Sequence, residues 1–297
     1  MSQTVLILGA SGRFGRNAAQ AFAARNWSVR RFDRDRDDLM ASAQGVDVIV
    51  NAWNPLYPRW AAEVPGLHAR VQQAARASGA TVIVPGNVYV FGAETPGPWG
   101  PDTPHLAQNP LGVIRARMER SYRQSGVRTI ILRAGDFLDT HPSGNWFDQI
   151  IAKRLDKGIL TWPGDPDALH AWAFLPDLAR AAVALAERRH ELPVFTDVPF
   201  AGYTISGADM ARTLGGVRIR QMSWLPLQLL RPVWPLARHL IEMRYLWNTP
   251  HRLDSTSFDT LLPGFEQTDL ADALRAATAH ISVDTQINPD QPVAAGS

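Results

Sequence analysis

The sequence predicts an α/β fold: a doubly wound parallel sheet with a smaller C-terminal substrate region. Three observations predict it. Short apolar runs alternate with helical segments from Thr4 to Leu132. A glycine-spaced turn, Gly9-Ala10-Ser11-Gly12-Arg13-Phe14-Gly15, follows the first strand and opens the first helix. An acidic residue, Asp33, stands about 20 residues further on, at the end of the second strand.

The elements follow in order. Thr4–Leu8 is a continuous apolar run ending in glycine, the pattern of a buried parallel strand. Phe14–Arg25 repeats apolar residues at helical spacing through Phe14, Ala18, Ala21 and Phe22. Trp27–Phe32 is a second strand, Asp37–Ala43 a short helix and Val46–Asn51 a third strand. Trp60–Ser78 is a helix closed by Gly79. Thr81–Val84 is a strand, Leu111–Ser125 a helix stopped by Gly126, and Thr129–Leu132 the next strand. Beyond about residue 135 the chain turns to Trp- and Pro-rich loops, with a helix expected at Leu178–Arg189. The expected division is a nucleotide-binding region over 1–165 with a returning segment near 168–200, a cap region over 200–283, and a polar, disordered tail over 284–297.

Composition narrows the function. The 297 residues carry 30 Lys and Arg against 28 Asp and Glu, too even a balance to argue for nucleic acid. There is no Cys, hence no disulfide, thiolate metal site or cysteine nucleophile. No positively charged leader and no spanning apolar stretch are read, so the expected location is cytoplasmic. The histidines, His68, His105 and His141 among them, show no metal-ligand spacing, and no metal is expected. No Gly-x-Ser-x-Gly elbow occurs.

The glycine loop carries the strongest signal. Gly9 allows the tight turn, Gly12 a close approach to a pyrophosphate, and Gly15 close helix–strand packing. Ser11, Arg13 and Phe14 complete the loop, and the bound anion sits at the helix N-terminus. Asp33 suits the adenosine ribose hydroxyls and favours NAD over NADP. Arg13 and Arg34 are either partners for a 2′-phosphate or solvated surface arginines, so NADP stays open. Asn51, Ala52 and Trp53, at the third strand's end, are expected along the cofactor.

These features, with Asn87-Val88-Tyr89-Val90-Phe91-Gly92 and Leu132-Arg133-Ala134-Gly135-Asp136 in the same order, resemble the extended short-chain dehydrogenase/reductases, the NAD-dependent epimerases and dehydratases. The likeness covers residues 4–190 well, with His170–Leu178 resembling the segment that returns to the sheet. It implies a Rossmann-type nucleotide domain, a C-terminal domain walling a substrate cleft, and a homodimer through Trp60–Ser78 and Leu111–Ser125. Those two helices equally suit a monomer.

The catalytic pattern departs from the family's Ser/Thr and Tyr-x-x-x-Lys. Asn87, Leu111 and Arg115 stand at those positions, and the only lysines are Lys153 and Lys157. The sequence looks like an atypical branch. Arg115 suits a clamp on ribose hydroxyls, or an ion pair with Glu119. Tyr89 is a candidate proton donor, its pKa lowered by a neighbouring arginine, or a half-buried loop tyrosine. Asp136 is a candidate base, or a partner for Arg133 or a turn cap. Asn87 can orient a carbonyl, and His170 is a cleft acid–base or a structural histidine. Two classes follow: an NAD(P)-dependent oxidoreductase or epimerase-like enzyme on a small or sugar-like carbonyl or alcohol, and a non-catalytic NAD(P)-binding sensor or assembly factor.

Met222–Trp247 mixes Trp, Leu and Arg. It reads as a substrate cap rather than a membrane-surface helix, because Pro226, Pro232 and Pro235 interrupt any long helix. The tryptophans outside the scaffold, including Trp99, Trp146, Trp162, Trp172, Trp224, Trp234 and Trp247, either pack a small domain or, on the sharper expectation, wall an apolar cleft.

Overall fold

The computed structural model describes residues 3–281, so the tail expected over 284–297 lies outside the described residues. Six parallel strands form the main sheet. Their spatial order is β2 (Ser28–Phe32), β1 (Thr4–Leu8), β3 (Val48–Asn51), β4 (Thr81–Gly86), β5 (Thr129–Arg133) and β9 (Phe195–Pro199). The chain leaves β1 toward β2 on one side and returns to β3 on the other. That reversal opens the crevice where sheets of this type bind ligands.

Both faces of the sheet are buried, as continuous apolar strands require. Leu6 and Leu8 pack into one core with Val71, Leu111 and Met118. Val5 and Ile7 pack into the other with Phe14, Phe22, Leu178 and Val183. Helices α1 (Arg13–Ala24) and α5 (Leu175–Glu187) cover that second face. The first is covered by α3 (Trp60–Ser78) and α4 (Pro110–Ser125), with α2 (Leu39–Ser42) at its margin.

Further strands lie outside the main sheet. After β5 the chain forms β6 (Asp136–Leu138), which pairs with β8 (His170–Phe174) and, through it, β10 (Tyr203–Ile205). A separate parallel pair joins β7 (Ile159–Trp162) to β11 (Arg218–Gln221). The stretch from His170 therefore does not itself rejoin the main sheet; β9 does so after α5. The remaining helices are α6 (Gly207–Thr213), α7 (Leu225–Leu230), α8 (Pro235–Glu242), α9 (Thr256–Leu261) and α10 (Leu270–Thr278). Pro226 and Pro235 each stand in the first turn of a short helix, so the long helix is broken as the sequence indicates.

Most of the tryptophans outside the scaffold take the packing alternative. Trp162, Trp172, Trp224 and Trp247 are buried in a third core with Phe147 and Leu274, and Trp99 is buried under the main sheet. They hold the small region together rather than wall an open cleft. The small sheets have two and three strands, and large rings supply the apolar area that such sheets lack.

Candidate active site

The glycine loop closes tightly. The Gly12 N–H donates to the Gly9 carbonyl at 2.9 Å, and Gly9 adopts a left-handed φ of +75°. A Cβ on Gly15 would collide with that same carbonyl. A Cβ on Gly9 would lie 3.0 Å from the Ala52 carbonyl and 3.3 Å from the Trp53 ring, so Ala52 and Trp53 do flank the loop. No side chain caps the start of α1. Ser11 is exposed at the loop, whereas Phe14 is a core residue.

Arg13 is not a fully solvated arginine. Its guanidinium donates to the carbonyls of Ser143 at 2.7 Å and Gly144 at 2.6 Å, tying the loop to the small region. Arg16 and Asn17 strengthen that tie through buried Asp139, at 2.7 and 3.2 Å. Asp33 caps its own turn, accepting from the Asp35 N–H, and lies 3.5 Å from Arg36. Arg34 faces a groove of about 600 Å³ lined by Arg59, Glu63, Leu67 and Arg70. Asn51 does not point along the crevice. Its amide donates inward to the Tyr122 hydroxyl at 3.3 Å and lies 3.1 Å from His68 Nδ1, because a buried amide must find partners.

The second half of the site gathers beyond β4 and β5. The Tyr89 hydroxyl lies 2.7 Å from the Tyr57 hydroxyl. Burial raises the pKa of both phenols, Tyr89's well above its usual 10. Tyr57 and Asp136 raise Tyr89 further, so no neighbouring arginine makes it acidic. Arg13 and Arg115 act on Tyr57 instead, more weakly than burial does. Asn87 accepts the Tyr89 N–H through its Oδ1 at 3.1 Å, which fixes the tyrosine's loop. Gly112 lets α4 press against that loop; a Cβ there would meet the Tyr89 carbonyl at 2.5 Å.

Asp136 pairs with His170, not Arg133: Oδ2 and Nε2 are 2.7 Å apart. The β6–β8 register sets Asp136 opposite Trp172, two residues from His170. The imidazole of His170 stacks on Trp247 at 4.4 Å and 5° and meets His251 edge-on at 4.4 Å. Burial and His170 together lower the pKa of His251 to about 3.

Two buried arginines flank these groups. Arg133 donates to Glu119 at 2.7 Å, to the Asn87 carbonyl at 2.5 Å and to Asp197. Glu119 is thereby claimed, and the alternative for Arg115, an ion pair with Glu119, does not form. Arg115 donates Nη2 to the Pro85 carbonyl at 2.6 Å and lies over the Trp60 ring at 5.7 Å. Its Nε is buried without a hydrogen-bond partner. The fold also gathers three potential metal ligands, His105, Glu119 and Asp197, which sequence spacing did not suggest. Arg133 already neutralises both carboxylates, so a cation would have to compete with its guanidinium.

Tyr57, His251 and Asp139 are missing from the sequence reading. Each meets its partner across at least 32 residues or across a loop, with no motif to announce it.

No protein-family model and no curated protein matches the sequence. Solved structures do match the fold. MoeE5, solved with UDP-glucose and NAD, is 17% identical over 93% of this chain and 97% of its own, with a TM-score of 0.70. A nucleoside-diphosphate-sugar epimerase from Pseudomonas aeruginosa is 15% identical over 94% and 97%, with a TM-score of 0.71. A UDP-N-acetylglucosamine 4-epimerase from Bacillus cereus is 14% identical over 94% and 96%, also at 0.71. The chain thus shares the Rossmann-type α/β fold of these structures along nearly its whole described length.

Proposed function

We propose that this protein is an NAD(P)-dependent oxidoreductase or epimerase-like enzyme acting on a small or sugar-like carbonyl or alcohol, with NAD the favoured cofactor. The observation that carries the reading is one of position. Two proton-bearing pairs, Tyr57–Tyr89 and Asp136–His170, stand at the carboxyl edge of the sheet near an uncapped glycine-loop helix. Asp136 and Arg13 act electrostatically on Tyr57, which ties the pairs to each other and to the loop. The NAD and UDP-sugars named with the neighbouring structures support the same reading.

The residues fit a dinucleotide. The loop between Gly9 and Gly15 would hold the pyrophosphate, Asp33 the adenosine ribose, and Arg115 the second ribose through its free Nε. Bound NAD supplies reversible hydride acceptance. The protein must then move a proton to and from the substrate oxygen. Arg115 cannot do so, because a guanidinium keeps its proton. Asp136 accepts the proton from a substrate hydroxyl, while His170 Nε2 holds its second oxygen in place. The Tyr57–Tyr89 pair keeps its protons, since burial disfavours both phenolates, and donates hydrogen bonds.

A sensor without turnover is the second reading. Its support is the buried Leu111 at the family's tyrosine position and the high pKa of Tyr89. Melting temperatures with NAD, NADH, NADP and NADPH, followed by NADH-linked assays on UDP-sugars and simple carbonyls, decide the matter. The enzyme reading expects the largest melting shift with NAD(H) and turnover that Asp136→Asn abolishes while the shift persists. Binding without turnover on any compound would establish the sensor, and no shift with any dinucleotide would remove both readings.

A further inference from the structure

The surface holds one feature that the nucleotide site does not use. Five of the nine exposed large hydrophobic residues among the described residues fall within ten positions: Leu225, Leu229, Leu230, Val233 and Trp234. Leu229 is 71% exposed and Val233 78%. They form the corner where α7 turns into α8. Singly exposed apolar side chains are ordinary, but a cluster of this kind marks a contact surface.

The charge around the corner is one-sided. Residues 210–241 contain five arginines, one histidine and no Asp or Glu. Arg218 and Arg220 lie exposed on β11, which leads directly into α7. Arg231 sits within the apolar turn, and Arg238 donates to its carbonyl at 3.1 Å. Arg244 lies over the Trp224 ring at 5.4 Å, beside Leu225. Arg212 pairs with Asp209 at 2.9 Å, but among the described residues Arg218, Arg220, Arg231, Arg238 and Arg244 pair with no carboxylate. The nearest acid, Glu242, is turned inward, accepting from the Leu111 N–H at 2.7 Å and the Asn109 amide at 2.9 Å.

We propose that the α7–α8 corner docks on an anionic membrane surface. Protruding Leu, Val and Trp side chains enter the headgroup boundary while the surrounding guanidinium groups meet lipid phosphates. The prolines that forbid one long interfacial helix are no obstacle to a short corner. A two-fold contact with a second copy is disfavoured by the same charge, because unpaired arginines would face one another. No helix of the described residues is long and apolar enough to cross a membrane, so the association is peripheral. The corner also touches the candidate site: on α8 the His239 ring meets Tyr57 at 6.4 Å. The proposal is independent of the cofactor reading.

The test is co-sedimentation of the full chain with phosphatidylcholine vesicles made with and without phosphatidylglycerol. The protein is expected to pellet with the anionic vesicles, stay in solution with the zwitterionic ones, and dissociate as salt rises. Leu229→Glu with Val233→Glu should lower partitioning on the order of a hundredfold. Arg231→Gln with Arg238→Gln should lower it roughly thirtyfold. All four side chains are exposed, so melting temperatures should not move. Absence of pelleting with anionic vesicles, equal pelleting with both kinds, or undiminished pelleting of both variants overturns the proposal. So does a dimer in analytical ultracentrifugation that Leu229→Glu with Val233→Glu dissolves while vesicles capture nothing.

Discussion

Arg133 and Arg115 are both buried, both near the carboxyl edge of the sheet, and differ in everything else. Arg133 is surrounded by answers to its charge: Glu119 on α4, Asp197 on β9 and the carbonyl of Asn87. The attraction of two carboxylates holds its proton more firmly than in water, despite burial. Arg115 has one carbonyl, one ring face and an idle Nε, and burial lowers its pKa. One region is finished by the fold; the other keeps an idle donor, which the proposed ribose contact would engage. A buried cation left partly unpartnered is costly, and such costs concentrate where ligands bind.

Breaking the finished region should have the largest effect. Arg133→Met leaves Glu119 and Asp197 buried together without their cation. The variant should lose about 3–5 kcal/mol of stability, or fail to fold. Urea denaturation measures it, and a loss below about 1 kcal/mol would show that water reaches the pair. Arg133→Met with Glu119→Gln and Asp197→Leu should recover much of the loss, because it removes the stranded charges as well.

An intermediate effect is expected from His68, which is bound to Asn51 and Tyr122 within reach of the Arg115 charge. Burial, and secondarily the charge of Arg115, lowers its pKa to about 3. An unfolded histidine titrates near ~6.5. Below that pH the unfolded chain binds a proton that the folded chain refuses. Stability is therefore full above about pH 6.5 and falls as the pH drops toward 3, by about 1.4 kcal/mol per unit for this group. His251, also lowered to about 3, adds the same sign. His68→Gln should remove about 1.4 kcal/mol per unit from the acid slope of unfolding free energy. An unchanged slope would mean that His68 is protonated in the fold.

The two regions were unequally legible. Gly9, Gly12 and Gly15 were readable because a turn, a helix start and a close packing contact are local, and the glycine pattern encodes all three. β1 and α3 were readable for the same reason: their periodicity lies within one stretch of chain, and α3 falls on the expected Trp60–Ser78. Asp136–His170 and Tyr57–Tyr89 are 34 and 32 residues apart and exist only once β6 pairs with β8 and α4 presses on the Tyr89 loop. Arg133 illustrates the difficulty most clearly. The i,i+4 spacing of Arg115 and Glu119 suggested a pair, but β5 delivers a second guanidinium to Glu119, and local spacing carries no record of that competitor. The small sheets were missed because their strands run three to five residues and are stabilised by rings from distant segments.

The smallest stability change should come from the unfinished region, and it separates the two arginines most sharply. Arg115→Met removes an unneutralised buried charge and keeps a long, flexible side chain against Trp60. Loss of the bond to the Pro85 carbonyl and relief of the buried cation oppose each other, so unfolding free energy should change by less than about 1 kcal/mol. Dinucleotide affinity should respond differently, falling about tenfold or more, because a charged donor to the ribose is gone. Calorimetric titration with NAD beside urea denaturation reads both quantities on one protein. Unchanged affinity with unchanged stability would deny Arg115 the clamp role. A loss of several kcal/mol would make it a second Arg133, held by contacts that its lone carbonyl partner does not account for.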